Sequence, residues 1–306
     1  MKGIHRRGFM TGAAVAAGSA TALAGNGALA AVAETAQVDA IRIGARANGQ
    51  DDDHPVLQAA VNKMKDAHVL SLPPGRYHLS KPLSVSVNRG VVLGFGAILD
   101  NTLILRGREM RVLGVSVIGS PGEGFHIARG QGAHYEALCA RENKGAGFML
   151  GGGNNEQIAW ANFIGCMALI NGGHGWHLDA THKRSWINAN TFTGCWSRGN
   201  QGMGWFSEGH ANYNSWMGCE VENNCKAMPD QPPVLLGGGQ NFLFGGHFKD
   251  TKLKGVAMRF TNGRDSMVFG GRYVGRIEGA SFVQAHVVSS VARRWLRQQD
   301  DDDNGG

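Results

Sequence analysis

The sequence predicts an all-β fold, a parallel β-helix built by stacking one short unit many times. The first observation is a repeated phrase of the form Asn-x-apolar-x-Gly-Cys. Full and looser copies of the phrase occupy residues 161–166, 190–195, 214–219, 241–246 and 266–271. The second observation is the step between these copies, which is 24 to 29 residues. A period in that range is typical of a solenoid, because each unit can bury its apolar face only against its neighbours.

A third observation, the second half of each repeat, distinguishes a β-helix from the helical solenoids. A Gly-x-Gly-aromatic phrase ends the segments at residues 144–148, 172–176 and 201–205. Each repeat therefore consists of short alternating strands joined by turns, without an apolar stripe long enough for a crossover helix. Strands of successive coils should pair in register about 4.8 Å apart. The 47 glycines among 306 residues suit the tight corners of such a fold.

Four of the five cysteines are predicted to fill one inward-facing column of the repeat. Cys139, Cys166, Cys195 and Cys219 follow the period of the coil, whereas Cys225 falls in a turn-like context. Free cysteine is among the most buried residue types, and no compact Cys-x-x-Cys pair is present in the sequence. The pattern therefore favours core packing, and we predict no metal site.

Residues 1–33 are predicted to be a twin-arginine signal peptide. Arg6 and Arg7 precede an alanine-rich apolar stretch that ends in a small-residue cleavage site at residues 31–33. Gly, Ser and Thr interrupt the stretch, so it is a poor membrane span, and no span is expected in the mature protein. We therefore expect a bacterial protein that is exported by the Tat machinery and is periplasmic or secreted.

The rest of the chain is predicted to be one domain with a tail. Residues 34–299 have a uniform composition without a linker, which suits a β-helix of roughly eight to ten coils. Residues 300–306 are predicted to form a disordered acidic tail. The signal peptide carries three basic residues and no acidic one, so its removal lowers the formal net charge from +6 to +3. A mildly basic body is compatible with a polyanionic polysaccharide partner. Nucleic acid is not expected, because no basic cluster is interleaved with aromatic side chains.

A segment near the start of the predicted domain carries a family resemblance. Residues 44–53, 56–61 and 72–77, with the sequences GARANGQDDD, VLQAAV and LPPGRY, are similar to the N-terminal signature of the pectate lyase superfamily. The resemblance implies a single-stranded right-handed parallel β-helix. It also implies a role as a lyase, hydrolase or epimerase of polysaccharides, with the active site in a groove along the outside of the helix.

The same segment predicts an N-terminal capping α-helix. Asp53 is placed to cap the helix, and Pro55 suits its first turn. One apolar stripe follows, formed by Val56, Leu57, Ala60, Val61 and Met64. Such a helix would cover the open end of the first coil. We interpret Asp51 and Asp52 likewise as capping or turn residues. A Ca²⁺ site is the alternative, so no cofactor is certain.

The candidate site follows from counting along the repeat. Asp179 lies thirteen residues after Cys166, and Glu208 lies thirteen residues after Cys195. On an in-register helix the two carboxylates stack on adjacent coils, about 5 to 7 Å apart. The other ionisable residues of this cluster are His177, His182, Lys183, Arg184 and His210. Trp186 is the best candidate for a sugar-stacking platform because it lies beside Lys183 and Arg184.

Three functions remain open at this stage. A lyase for an acidic glycan needs a base, a cation for the uronate carboxylate and an acid for the leaving oxygen; the Lys, Arg and His residues of the cluster could supply them. A glycoside hydrolase could instead use Asp179 and Glu208 as its two carboxyl groups. The third alternative is a non-catalytic β-helix for glycan binding or surface structure.

Overall fold

The computed structural model describes residues 37–249 and 255–288. These residues form a right-handed parallel β-helix of about nine turns with a single α-helix at its N-terminal end. The predicted fold class is therefore confirmed. The signal peptide at residues 1–33 and the tail at residues 300–306 lie outside the described residues, so the domain boundaries stay predictions.

Each turn of the helix contributes strands to three parallel ladders, here called A, B and C. Ladder A contains β1 (Gln37–Asp39), β3 (Val69–Ser71), β6 (Val91–Leu93), β9 (Arg111–Leu113), β12 (His134–Glu136), β16 (Asn162–Ile164), β20 (Thr191–Thr193), β23 (Ser215–Met217) and β26 (Phe242–Phe244). Ladder B contains β2 (Asn48–Asp52), β4 (Gly75–His78), β7 (Ala97–Leu99), β10 (Ser116–Ile118), β13 (Cys139–Arg141), β17 (Met167–Leu169), β21 (Trp196–Arg198), β24 (Glu220–Glu222) and β27 (His247–Lys249). The long strands β29 (Met267–Val274) and β31 (Phe282–Val288) continue both ladders across a bulge.

Ladder C forms the third side and carries the longest strands of the middle coils. It contains β5 (Leu83–Val85), β8 (Leu103–Arg106), β11 (Phe125–Arg129), β14 (Phe148–Gly151), β18 (Trp176–Ala180), β22 (Trp205–Gly209), β25 (Val234–Leu236), β28 (Val256–Phe260) and β30 (Arg276–Glu278). Two further strands, β15 (Gln157–Ala159) and β19 (Trp186–Asn188), pair with each other where the chain turns from ladder C to ladder A.

The core is filled by aromatic rings that stack from coil to coil. In ladder C the rings of Phe125, Phe148, Trp176 and Trp205 stack with centroid separations of 4.0 to 4.9 Å. In ladder A the rings of Tyr135, Phe163, Phe192 and Trp216 stack at 4.7 to 5.3 Å. Offset stacking and edge-to-face contacts between the two stacks add to the energy of burial. The aromatic columns of the repeated phrases therefore point inward.

Two rows of buried asparagines satisfy the backbone at the corners. At the corner between ladders B and C the members are Asn143, Asn171, Asn200 and Asn224. Each of the first three donates its Nδ2–H to Oδ1 of the next, at 2.7 to 2.9 Å. At the corner between ladders C and A, Asn190, Asn214 and Asn241 form the second row. Because a buried N–H without a partner is costly, these rows explain the Asn of the repeated phrase.

The cysteine column has three members, and the prediction that Cys139 belongs to it is wrong. Cys166, Cys195 and Cys219 are buried at the corner between ladders A and B. Cys139 instead pairs with Met167 on the outer side of ladder B and is only partly buried, while Leu138 takes the position in the column. Ala137 has a φ of 52°, close to the 58° to 60° of Gly165, Gly194 and Gly218 in the later coils. The corner of this coil therefore lies one residue earlier than the Cys-based alignment placed it.

The predicted capping helix is present as α1 (His54–Val61). Leu57 and Val61 are buried in the core, and Gln58 bonds both main-chain polar groups of Ser84 in β5. The cap is not the predicted one, because the carboxylate of Asp53 accepts hydrogen bonds from two main-chain N–H groups upstream and makes no cap bond. Asp52 Oδ1 accepts from the N–H of His54 instead, at 3.0 Å.

No helix in the described part of the chain has both the length and the apolar character needed to cross a membrane.

Candidate functional site

The candidate site lies on the outer face of ladder C, where β18 and β22 pair. The two strands are in register, with His177 opposite Phe206 and Asp179 opposite Glu208. Trp176 is fully buried, so the alternation of a β-strand turns its neighbour His177 outward. The predicted stacking of the two carboxylates on adjacent coils is confirmed.

Hydrogen bonds and ion pairs join four of the predicted side chains. His177 Nε2 lies 2.9 Å from Glu208 Oε1, and His182 Nε2 lies 3.5 Å from Asp179 Oδ2. Asp179 Oδ1 accepts two further hydrogen bonds, from Thr181 N at 3.0 Å and from Thr181 Oγ1 at 2.6 Å. The result is two carboxylate–imidazole pairs on neighbouring coils.

The two carboxylates have different environments. The side chain of Asp179 is 12% exposed, whereas that of Glu208 is 38% exposed. Burial opposes ionisation of Asp179, but the hydrogen bonds from Thr181 and the charges of His177 and His182 outweigh it and lower the pKa of Asp179 below its ordinary value. Asp179 is therefore an ionised, fixed group, and Glu208 is the carboxylate that an incoming molecule can reach.

His174 belongs to this site, although the sequence analysis attributed its Gly-x-Gly phrase to the repeat and did not count it among the site residues. Its ring centroid lies 5.2 Å from that of His177 and 4.8 Å from that of Phe206. Its Nδ1 accepts a hydrogen bond from Met203 N at 3.0 Å, so the neutral ring carries its proton on Nε2. Burial, and secondarily the charge of His177, lowers the pKa of His174 to about 4. Ala146 and Met203 occupy the equivalent positions of the neighbouring coils. A histidine at a position that is apolar in those coils is the sequence feature that could have indicated a functional residue.

The structure places the other predicted residues on the segments that follow β18 and β22. Lys183 and Arg184 lie on the exposed loop between β18 and β19, and their hydrogen bonds among the described residues use main-chain atoms. His210 follows β22 and is exposed, with its main chain bonded to Ala180 and Ile187. Trp186 begins β19, half-buried and in register with Gln157. None of the four forms a side-chain hydrogen bond or ion pair with Asp179 or Glu208 in the described part of the chain.

A second cluster on ladder C was missed by the sequence reasoning. Glu156, with 7% of its surface exposed, lies 3.4 Å from Arg106 Nη1 and 3.5 Å from His126 Nε2. Burial disfavours the charged form of His126, but the hydrogen bond and charge of Glu156 outweigh it and raise the pKa of His126. The three residues lie far apart in sequence, and only the register of the coils joins them.

This second cluster opens into a cavity of about 340 Å³ beside the candidate site. Arg106 and Arg129 pair with each other at the ends of β8 and β11 and line the cavity together with Asn154. Asn154 Oδ1 accepts a hydrogen bond from Lys183 N at 3.2 Å, so the cavity loop and the loop of the candidate site are in contact. The outer face of ladder C thus combines cationic and acid–base groups on one side of the molecule.

The donor atoms of His177, Asp179 and Glu208 lie within 4.8 Å of one another and could hold a metal ion. Mixed imidazole and carboxylate ligands suit ions of the Zn²⁺ type, whereas Ca²⁺ takes about six to eight oxygen ligands. This cluster therefore does not fit calcium.

The acidic run at residues 51–53 does not fit calcium either. Both oxygens of Asp53 accept main-chain hydrogen bonds, at 2.6 and 3.0 Å. Asp52 Oδ1 binds the N–H groups of His54 and Ser80, and Asp51 Oδ2 binds Arg46 and Asn48. The three carboxylates serve different local turns and do not converge on one point.

The three ladders define the class of the protein as a single-stranded right-handed parallel β-helix. The sequence matches no family model and no curated protein. Among solved structures, the chain is similar to ORF18 of Geobacillus virus E2, with 15% identity and a TM-score of 0.57 over 85% of this chain and 61% of the other. It is also similar to the gp42 tailspike of Acinetobacter phage vb_AbaP_AS12, with 11% identity and a TM-score of 0.53 over 80% of this chain and 46% of the other.

A more distant similarity is to the pectate lyase Pel9A, with 13% identity and a TM-score of 0.45 over 76% of this chain and 71% of that one. The chain spans about three fifths of the ORF18 chain and less than half of the tailspike. At these identities the similarities to ORF18 and to the tailspike support the fold and say nothing about the reaction.

Proposed function

We propose that the protein is an exported polysaccharide lyase that cleaves an acidic, uronate-containing glycan in a groove along the outer face of ladder C. The observation that carries this proposal is the pair of carboxylate–imidazole contacts, His177 with Glu208 at 2.9 Å and His182 with Asp179 at 3.5 Å, on adjacent coils. The N-terminal signature at residues 44–77 supports the same class of substrate.

The two pairs can supply the acid and the base of a β-elimination. Glu208 is the more exposed carboxylate and is the base that removes the proton next to the uronate carboxyl group. His177 Nε2–H donates to Glu208 and fixes its orientation. His182, paired with the ionised Asp179, is placed to protonate the leaving oxygen. Each of these proton transfers is typically worth a factor of about 10² to 10⁴ in rate.

A uronate substrate also needs cations, because its carboxylate must be neutralised before the adjacent proton becomes acidic. Lys183 and Arg184 lie on the loop that follows β18, and their exposed side chains can meet a substrate. Arg106 and Arg129 extend the positive surface along the same ladder. These four cations offset the charges of Asp179 and Glu208 and favour an acidic glycan over a neutral one.

A glycoside hydrolase is the second candidate, favoured by the separation of the two carboxylates. Oxygens of Asp179 and Glu208 lie within 4.8 Å of each other. Retaining glycosidases hold their two carboxyl groups about 5 to 5.5 Å apart. The lowered pKa of Asp179 suits an ionised nucleophile, but its position behind Thr181 limits access.

A panel of glycans separates these functions. The exported protein is incubated with polygalacturonate, alginate and neutral polysaccharides, and both unsaturated-sugar absorbance and reducing ends are followed. A lyase produces both signals from a uronate glycan. Reducing ends without the absorbance indicate the hydrolase, and no product from any glycan with folded protein contradicts catalysis.

Export to the periplasm or medium rests on Arg6 and Arg7 and the apolar stretch that follows them. Fractionation of producing cells tests it, since replacement of both arginines by lysine should retain the protein in the cytoplasm. Export of the lysine variant at the wild-type level would contradict a twin-arginine route.

A further inference from the structure

We propose that the protein has a second glycan-binding site, on the outer face of ladder B, that holds an acidic oligosaccharide without cleaving it. The ladder B cleft has a volume of about 440 Å³ and lies between β13, β17 and β21. Its lining includes Arg141, Met167, Ile170, Trp196, Arg198 and Lys226. The inference takes the class of ligand from the proposed function, and it needs no catalytic step.

The floor of the ladder B cleft is apolar and exposed. Trp196 is 44% exposed and Ile170 is 48% exposed. Met167 pairs with Trp196 in register, so its side chain lies beside the indole on the same outer face. Exposed apolar surface that is rimmed by polar groups commonly marks a binding site. A rigid ring with one open face can stack on the C–H face of a sugar ring.

The indole is carried by a fixed piece of backbone. Trp196 begins β21, which pairs on both sides with β17 and β24. Its carbonyl oxygen accepts a hydrogen bond from the Nε1–H of Trp176, a fully buried core residue, at 3.4 Å. Little backbone order therefore needs to be gained on binding, which lowers the entropic cost of complex formation.

The rim of the cleft is cationic. Arg141 and Arg198 occupy the same position of their strands, with one coil between them, so their backbones lie about 10 Å apart. A Cβ on Gly199 would lie 3.5 Å from Ile170 Cγ1 and 3.6 Å from Lys226 Nζ, so Lys226 approaches the same apolar floor. Three cations around one aromatic platform match a sugar that carries carboxylates, since arginine binds a carboxylate through two parallel hydrogen bonds.

Each of the two arginines has an acidic partner, and Glu220 lies opposite Trp196 on the next strand. Arg141 pairs with Glu142 at 2.8 Å and Arg198 pairs with Glu222 at 3.4 Å. Both arginine side chains are about half exposed, at 48% and 57%. Surface pairs of this kind contribute about 0 to 1 kcal/mol, so a substrate carboxylate can compete for the guanidinium groups. Lys226 adds a third positive charge to the cleft.

The ladder B cleft is separate from the reaction centre, because ladders B and C form different sides of the coil. A glycan held on ladder B would keep the protein on its polymer while another segment reaches ladder C. The two sites then act on the same class of glycan in different ways.

The test compares the variant Trp196→Ala with Trp160→Ala. Trp160 is a suitable control because it is 65% exposed and lies outside the cleft. Binding of oligogalacturonate and oligomannuronate is measured by calorimetry in a Glu208→Gln background, with a neutral oligosaccharide for comparison. We expect two sites per chain in the Trp160 variant, and loss of one site or at least a tenfold weaker second affinity in the Trp196 variant.

A double variant, Arg141→Gln with Arg198→Gln, tests the charge. It should lose the same site for uronates, and its folding is checked by circular dichroism and thermal unfolding. Equal binding by the two Trp variants, or unchanged binding by the double variant, would overturn the proposal. So would equal affinity for the neutral sugar. These measurements involve no turnover, so a protein without lyase activity fails the proposed function and still gives a clear answer here.

Discussion

At the scale of single residues, the site depends on side chains whose protonation is set by burial and by a fixed partner. Asp179 stays ionised because Thr181 donates two hydrogen bonds to one of its oxygens. His174 stays neutral because it is buried and its Nδ1 accepts a main-chain hydrogen bond. The neutral ring packs against His177, which in turn orients Glu208.

The first prediction concerns the pH dependence of stability through His174. Its pKa falls from 6.5 to about 4 on folding, so below pH 6.5 the unfolded chain binds a proton that the folded one does not. The contribution of His174 to the free energy of unfolding is complete above pH 6.5. It is lost as the pH falls toward 4, and the loss amounts to about 3 kcal/mol. Replacing His174 by Met, which the next coil carries at the equivalent position as Met203, removes this pH-dependent part of the free energy of unfolding.

Chemical denaturation of both proteins between pH 7 and pH 4.5 measures the effect. At pH 7 the variant should be less stable by about 1 kcal/mol, because Met203 N–H loses its acceptor. The deficit should shrink and then reverse as the pH falls. A constant difference in the free energy of unfolding across this range would show that His174 is not held neutral.

The sequence predicted part of the site because the repeat sets the register. Counting from the cysteines brought Asp179 and Glu208 together, and strand alternation turned His177 outward. Loop conformation could not be counted in this way, so Lys183 and Arg184 were grouped with side chains that they do not contact. The cluster of Arg106, His126 and Glu156 was missed because it joins residues from three coils whose spacing shows no shared phrase.

At the scale of elements, each coil is joined to the next by the same small set of corner contacts. Asn200 shows the principle: its Oδ1 accepts from the N–H and the Nδ2–H of Asn171, and its own Nδ2–H donates to Asn224. At a corner the chain leaves the β-ladder and lacks the hydrogen bonds that join one coil to the next. A polar row of this kind supplies them. The corner therefore fixes the register that positions the site.

The second prediction is that Asn200→Ala lowers the free energy of unfolding by about 2 to 4 kcal/mol, since it leaves buried donors and an acceptor without partners. Asn162→Ala is the matched control, because Asn162 is exposed at the start of β16. The control should change stability by no more than about 0.5 kcal/mol. Urea unfolding of both variants measures the difference, and equal effects would contradict a structural role for the asparagine row.

Element prediction succeeded where the repeated phrase was complete and failed where one residue was substituted. The strands and corners within residues 161–249 and 255–271 follow the phrase closely. Cys139 was misplaced because Ala137 stands where later coils have Gly, which hid the position of the corner. The cap of α1 was assigned to Asp53, but that carboxylate satisfies the turn before the helix, a contact that spacing within the helix does not reveal.

At the scale of the whole molecule, a stack of similar coils leaves its outer faces free to differ. The interior repeats the same aromatic and cysteine columns, which accounts for the success of the fold prediction. Outward positions carry no such constraint. Ladder C gathers the carboxylate–imidazole pairs, and ladder B gathers the arginines around Trp196. The proposed reaction and the proposed second binding site therefore lie on different sides of one scaffold.

The most direct test of the central claim is the rate of unsaturated product formation from a uronate glycan by Glu208→Gln. Glu136→Gln is its control, because Glu136 also pairs with a histidine, His134 at 3.1 Å, but on ladder A. We predict that Glu208→Gln lowers the rate at least 100-fold, in line with loss of a general base, while Glu136→Gln keeps the wild-type rate. A wild-type rate in the Glu208 variant, with both proteins folded, would contradict the assignment of this site.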